Sequence, residues 1–185
     1  MEHKLEMFRN VIEANSNVES DTEFANNLNS ELLSELIYCY TPKGDVMELP
    51  KDSTPIDFAF RVHTNVGEKM VGAIVNDNIV PFDYKLKTGD IIKINTSKLS
   101  KGPNKDWLKF VTTSQAKNKI KNFYSKREKD ENLSRGIEIL ENALRKKNLP
   151  INETLENNLG MILDTLKLKD LDELYLSIGS GKITI

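Results

Sequence analysis

Short apolar segments, each bounded by turn-forming residues, fill the first half of the chain after residue 35. Residues 36–41 are rich in apolar and aromatic side chains and predict a strand. Residues 41–44 read Thr-Pro-Lys-Gly, in which proline presets the backbone of the second turn position and glycine suits the fourth. Residues 45–49 supply the returning strand, so the pattern predicts a β-hairpin.

A helix signal follows the hairpin. Thr54 fits the N-cap, Pro55 the first helical position and Asp57 the third residue after the cap. The pattern predicts a helix to about residue 65 that ends before Gly67. Spacing by 3.6 residues places four side chains on one face: Ile56, Ala59, Phe60 and His63.

The polar face of this helix carries Asp57 and Arg61, which are four residues apart and predicted to pair. Strand patterns then cover residues 69–75, 79–81 and 91–95, with turns at 76–78 and 87–90. The order β-β-α-β-β within about 60 residues is typical of a β-grasp module, a twisted sheet with one helix on one face. We therefore predict an α+β chain.

Residues 98–185 show helical periodicity instead. Gly102-Pro103 opens a short helix through Trp107, Thr112-x-x-Gln115 matches a capping box, and a further helix is predicted to start at Asp130. Pro150 ends that helix, and Asp170-x-x-Glu173 caps a last one. We predict a linker at 1–35, the β-grasp module at 36–97 and a helical domain at 98–185.

The net charge of the chain is −2, but the charged residues are distributed unevenly along it. Residues 98–149 carry 14 basic and 6 acidic side chains, a local charge of +8. Such a block suits a phosphate backbone, and the alternative is a solvated, lysine-rich helix surface. No apolar run is long enough to span a membrane, and the single cysteine, Cys39, fits a reducing compartment as a buried, inert thiol. These features favour a cytoplasmic protein.

The sequence lacks a catalytic constellation, so we expect no enzyme activity and no cofactor from these 185 residues themselves. The two histidines are sixty residues apart, and no Cys/His set has the spacing of a metal site. Gly179-Ser180-Gly181-Lys182 is not a phosphate loop, because Leu176 stands at the earlier glycine position and Ile183 at the Ser/Thr position.

Three motifs together resemble the RelA/SpoT family of (p)ppGpp synthetases and hydrolases: TPKGD at 41–45, PIDFAFRVH at 55–63 and TSQAKNKI at 113–120. The resemblance implies that the β-grasp module is a TGS domain and that the helical part follows it in the regulatory half of such an enzyme. It also implies a parent protein with catalytic domains of the bacterial stringent response that this sequence does not contain.

The resemblance implies a site for the CCA end of deacylated tRNA on the ribosome. It places His63 against that end, where an imidazole can stack on an unpaired base or bond its edge; the alternative is a capping or core histidine. Arg61 would bind phosphate or, alternatively, pair with Asp57 at the surface. Lys43 at the hairpin tip is a further candidate, and its alternative is an ordinary solvated turn lysine.

The basic block is the second candidate nucleic-acid surface implied by the resemblance. It would follow RNA backbone through Lys117, Lys119, Lys121, Lys126 and Arg127. A different class of function also remains open: the family's TGS domains can contact acyl carrier protein or the enzyme's own catalytic half, which would make this chain a protein-interaction module.

Overall fold

The computed structural model describes residues 35–185. The predicted linker at 1–35 therefore lies outside the described residues except for Glu35. The described chain has five strands: β1 (Leu36–Tyr40), β2 (Val46–Pro50), β3 (Met70–Val75), β4 (Asn78–Val80) and β5 (Ile92–Thr96). Its α-helices are α1 (Pro55–Val62), α2 (Thr64–Glu68), α3 (Ser114–Lys146), α4 (Ile151–Leu166) and α5 (Leu171–Gly179), and a 3₁₀ helix spans Lys105–Lys109.

The strands form two small sheets where the sequence predicted a single one. β1 and β2 pair antiparallel, and β3 lies between β4 and β5, antiparallel to both. The two sheets meet at one parallel bridge between Tyr40 and Ile91, where the Tyr40 N–H donates to the Asp90 carbonyl at 2.8 Å. The β-grasp arrangement is thus present, with a short seam in place of a continuous ladder between β1 and β5.

The inward faces of the strands and one face of α1 enclose the core of this module. Side chains of a strand point alternately to the two faces of a sheet, and this alternation is clearest in β1, where Ile37 and Cys39 are buried and Tyr38 between them is exposed. The buried cluster consists of Ile37, Cys39, Leu49, Phe58, Val75, Leu86 and Ile92.

Helix α1 begins as predicted and ends earlier than predicted. Thr54 is its N-cap, and a capping box joins Thr54 to Asp57. The helix stops at Val62 because His63 is extended (φ −167°, ψ 143°) and caps α2 in turn. Gly67 therefore lies inside α2 and not beyond a helix end; a Cβ built there would sit 2.5 Å from the ring of Phe60.

The helical part also differs from the prediction at two starts. The side chain that caps α3 is Thr113, which accepts from the Ala116 N–H at 3.2 Å, and not Thr112. No helix starts at Asp130, since α3 continues without interruption for 33 residues. The Arg127–Glu131 ion pair spans Asp130 at the i,i+4 spacing that supports a continuous helix. The last helix is capped as predicted, by Asp170 accepting from the Glu173 N–H at 2.8 Å.

The chain divides into two compact units, one ending at Phe123 and one covering Tyr124–Ile185. The predicted boundaries at 36–97 and 98–185 stay predictions. Within the second unit, α3 and α5 touch backbone to backbone. A Cβ on Gly136 would lie 1.8 Å from the Tyr175 carbonyl oxygen, and one on Gly179 would lie 1.8 Å from that of Asn132. Only glycine permits such an approach.

This contact predicts opposite effects for two helical glycines. Gly136→Ala should lower the free energy of unfolding of the second unit by about 1–3 kcal/mol, because the added methyl group overlaps the α5 backbone. Gly160→Ala is the matched control: nothing lies within 4 Å of its Cβ position on α4, so alanine should raise stability by up to about 1 kcal/mol. Denaturant unfolding followed by far-UV circular dichroism measures both, and equal effects would contradict the packing.

Candidate nucleic-acid interface

His63 occupies the corner between α1 and α2. Its own N–H donates to the Ala59 carbonyl at 3.2 Å, which closes the last turn of α1. Its Nδ1 accepts from the Asn65 N–H at 3.1 Å, and its carbonyl accepts from the amides of Val66 and Gly67. The side chain is exposed. His63 is therefore a capping histidine, one of the two structural alternatives. The other, a core histidine, is excluded because the side chain is exposed.

The capping bond fixes the chemistry that the ring presents. Because Nδ1 accepts a hydrogen bond, the neutral imidazole must carry its proton on Nε2. Within the described part of the chain, Nε2 has no partner. The corner thus presents an exposed aromatic face and one N–H donor, held in place by the bond on the other side of the ring.

Arg61 lies two residues before the corner, half-buried, in the last turn of α1. The predicted surface pair with Asp57 is wrong, since the Asp57 carboxylate is buried and bonded elsewhere. The guanidinium has no ion-pair partner among residues 35–185. It is a cation two residues along the chain from an exposed imidazole; a guanidinium can bind a phosphate, and an imidazole can contact a base.

Asp57, which the sequence predicted only as part of the capping box and of a surface ion pair, bonds to residues far along the chain. Its side chain is 1% exposed and accepts from five donors. Two are the backbone N–H and hydroxyl of Thr54, both at 2.8 Å. Three come from the segment before α3: the Thr112 N–H at 3.1 Å, the Thr113 N–H at 2.8 Å and the Thr113 hydroxyl at 2.7 Å. Thr54-x-x-Asp57 signalled the capping box, but no local pattern connects residues 55 positions apart.

Lys43 lies in a different element from the corner. It is exposed in the β1–β2 turn, which is closed by the Gly44 N–H on the Thr41 carbonyl at 2.9 Å and by the Thr41 hydroxyl on Asp45 at 2.9 Å. The turn is formed as predicted. No contact in the described structure joins Lys43 to His63 or Arg61, so the three candidates do not form one cluster.

The basic block is likewise not a single stripe. Lys117 and Lys121 are one turn apart on α3 and share a face, while Lys119 points to the opposite side by helical spacing. Lys126 and Arg127 belong to the second compact unit, and Arg127 is paired with Glu131 at 2.9 Å. Each of these side chains is half-buried or exposed.

Two other predicted residues have structural roles. Trp107 is buried, and its ring centroid lies 5.1 Å from that of Phe82. Cys39 is also buried, and burial, together with the nearby Asp90 carboxylate, raises the pKa of its thiol to about 12. In residues 35–185 no group of His, Cys, Asp and Glu is placed to hold a metal ion. No described helix has the length and apolarity of a membrane span.

Comparison with known families assigns both parts of the chain. Residues 37–96 match the TGS domain, so the β-grasp module is a TGS domain and the chain is a TGS-domain protein. Residues 123–185 match the RelA/SpoT AH domain. The chain thus contains two domains of the RelA/SpoT family, a TGS domain followed by an AH domain, as the motifs predicted.

Named relatives match almost the whole chain. A GTP pyrophosphokinase of Streptomyces coelicolor is 38% identical over 95% of it, and a guanosine-3′,5′-bis(diphosphate) 3′-pyrophosphohydrolase of Aquifex aeolicus is 40% identical over 95%. A GTP pyrophosphokinase of Escherichia coli is 34% identical over the full chain. The match covers 21% of the first relative and 25% of the other two, so the chain spans a fifth to a quarter of their lengths.

The buried thiol gives a prediction with an internal control. At pH 8, a thiol reagent should modify native Cys39 far more slowly than the same cysteine in denaturant, because the raised pKa and burial suppress the thiolate. The raised pKa also predicts a pH effect on stability. The contribution of the protonated Cys39 thiol to the free energy of unfolding is complete below the ordinary thiol pKa of 9.0. It is lost as the pH rises towards the raised pKa of about 12. Cys39→Ala should lack that decline, and equal reactivity of the native and denatured chains would contradict burial.

Proposed function

We propose that this chain is the regulatory part of a (p)ppGpp synthetase/hydrolase and senses deacylated tRNA on the ribosome. The observation that carries the proposal is the α1–α2 corner, where His63 presents an exposed imidazole with an outward donor. Arg61, two residues earlier, has no ion-pair partner among residues 35–185. The names of the relatives supply the class of parent enzyme. The chain itself contributes recognition, and the synthesis or hydrolysis of the nucleotide belongs to catalytic domains of the same parent.

The corner suits a single-stranded 3′ end. Unpaired bases expose their faces and edges, which proteins read by stacking and by hydrogen bonds. The imidazole of His63 can stack on one base or donate from Nε2 to a base acceptor. Arg61 can bind the adjacent phosphate through two parallel N–H groups, a geometry that a lysine does not offer.

The lysines of α3 would add affinity without sequence preference. Lys117, Lys119, Lys121 and Lys126 can neutralise RNA phosphates, and each such contact makes binding weaker as salt is raised. Arg127 would contribute less, because its ion pair with Glu131 already occupies part of its guanidinium. Lys43 would act as a separate backbone contact at the hairpin tip.

Binding of deacylated tRNA tests the proposal. His63→Ala should reduce affinity for intact deacylated tRNA about tenfold, whereas affinity for tRNA lacking its CCA end should be low for both proteins. Fluorescence anisotropy at low and moderate salt measures the affinity. Lys117→Ala should instead weaken binding of both RNAs and lower the salt slope by about one.

A second substitution separates contact from capping. His63→Asn keeps a side-chain oxygen that can cap α2, while it removes the aromatic ring. If the ring contacts RNA, the asparagine variant should bind as weakly as the alanine variant. Lys93→Ala, at an exposed position of β5 away from the corner, is the control that should leave affinity unchanged. Absence of tRNA binding by the wild-type chain at either salt would refute a free-standing tRNA role.

A second function, protein interaction, is favoured by the outward face of the sheets. Ile79 is 86% exposed and pairs across strands with Ile74, while Val46 and Ile91 are exposed on either side of Tyr40. Exposed apolar residues on neighbouring strands are typical of a surface that meets another protein. The candidate partners are the parent's catalytic half and acyl carrier protein.

This alternative predicts a different mutational pattern. Ile79→Glu should reduce binding to the catalytic half of a relative, or to acyl carrier protein, at least about tenfold and leave tRNA affinity unchanged. Leu99→Glu is the control, since Leu99 is 91% exposed but lies outside the strands. Isothermal titration with each partner measures the effect. Equal losses from both substitutions would argue against the sheet face, and no binding of either partner by the wild type would remove this candidate.

A further inference from the structure

The segment that ties α1 to the start of α3, residues 112–113, contains neither His63 nor Arg61 nor any other candidate contact of the two proposed functions. Its hydrogen bonds converge on Asp57, whose side chain is buried in the first turn of α1. Thr112 and Thr113 both donate their backbone N–H groups to Asp57, and the Thr113 hydroxyl bridges Asp57 and the Ala116 N–H. One carboxylate therefore organises the first turn of α1 and the first turn of α3 together.

A second tie lies one turn further along α1. The Gln115 side-chain amide donates to the Phe60 carbonyl at 3.5 Å, three residues beyond Asp57. Three residues of helix correspond to about 4.5 Å along the axis. Two attachments at that separation restrict both the direction of α1 and its rotation about its own axis, which a single attachment could not do.

The same helix ends in the corner. The ring of Phe60 packs against α2 at Gly67 and occupies the space that a side chain at that position would need. His63 follows one turn after Ala59, to which its N–H is bonded. The direction in which the imidazole and the Arg61 guanidinium face is thus determined by how α1 is held at Asp57 and Phe60.

We propose that Asp57 is a positioning residue for RNA recognition: its buried carboxylate, bonded to Thr112 and Thr113, holds α1 so that His63 and Arg61 meet the RNA. The role in recognition rests on the proposed tRNA function, whereas the hold on the corner does not. Asp57 itself does not contact RNA. Asparagine at this position keeps the size of the side chain, but replaces one acceptor oxygen with an NH₂ group that faces donors.

The first measurement needs no RNA. Hydrogen exchange of the Asn65, Val66 and Gly67 amides, which bond to His63, reports how firmly the corner is held. Asp57→Asn should accelerate their exchange about tenfold, and so should Thr113→Val, which removes one donor with little change in volume. Thr113→Val also serves if Asp57→Asn does not fold.

A core variant is the matched control. Ile92→Ala opens a cavity in the core cluster that also contains Phe58 of α1, and it leaves the hydrogen-bonding groups of Asp57 and Gln115 in place. It should leave the exchange of the corner amides unchanged, because local opening of the corner does not require the core to unfold. Unchanged corner exchange in Asp57→Asn and Thr113→Val, or equal acceleration in Ile92→Ala, would overturn the inference.

The second measurement uses deacylated tRNA and a double-mutant cycle. Asp57→Asn should weaken binding about tenfold, and His63→Ala should add little to that loss, because a displaced ring no longer contributes. Additive losses would mean that Asp57 acts only on overall stability and would overturn the role in recognition. If the wild type binds no tRNA, the proposed function fails, while the exchange measurement still decides whether Asp57 holds the corner.

Discussion

A single buried carboxylate organises the first compact unit. Asp57 lies in the first turn of α1, yet three of its five donors come from Thr112 and Thr113, more than fifty residues later. Buried charge is costly unless hydrogen bonds replace the lost water, and here backbone amides and hydroxyls do so from both sides. The start of α3, the capping of α1 and the direction of the α1–α2 corner all depend on this one group.

The structural role of His63 at the corner and the recognition proposed for it use different parts of the residue. His63 ends one helix with its backbone and starts the next with Nδ1, which leaves Nε2 and the ring face outward. Capping and recognition are therefore not competing interpretations of this histidine, because they use different atoms. The TGS-domain match at 37–96 contains this corner, and the RelA/SpoT AH-domain match at 123–185 follows it along the chain.

Local patterns predicted what is determined locally. The capping box at Thr54, the hairpin turn at Gly44 and the cap at Asp170 depend on residues within four positions of one another, and each was predicted. The end of α1 was misplaced because Gly67 is needed for the ring of Phe60, a contact invisible in the sequence. The hydrogen bonds from Thr112 to Asp57 were not predicted either, because they also join residues that are far apart in the sequence. Of the candidate site, residue types were predictable, but their separation into a corner, a hairpin tip and different helix faces was not.

The burial of Cys39 has an experimental consequence of a different kind. The sequence contains one cysteine, and its side chain is 0% exposed. A cysteine introduced at an open surface position, such as that of Gly160, would be the readily alkylated thiol of the native protein. Dyes or spin labels could then be attached at chosen points without first removing the native residue from the core. Distances between the two compact units would become directly measurable in solution.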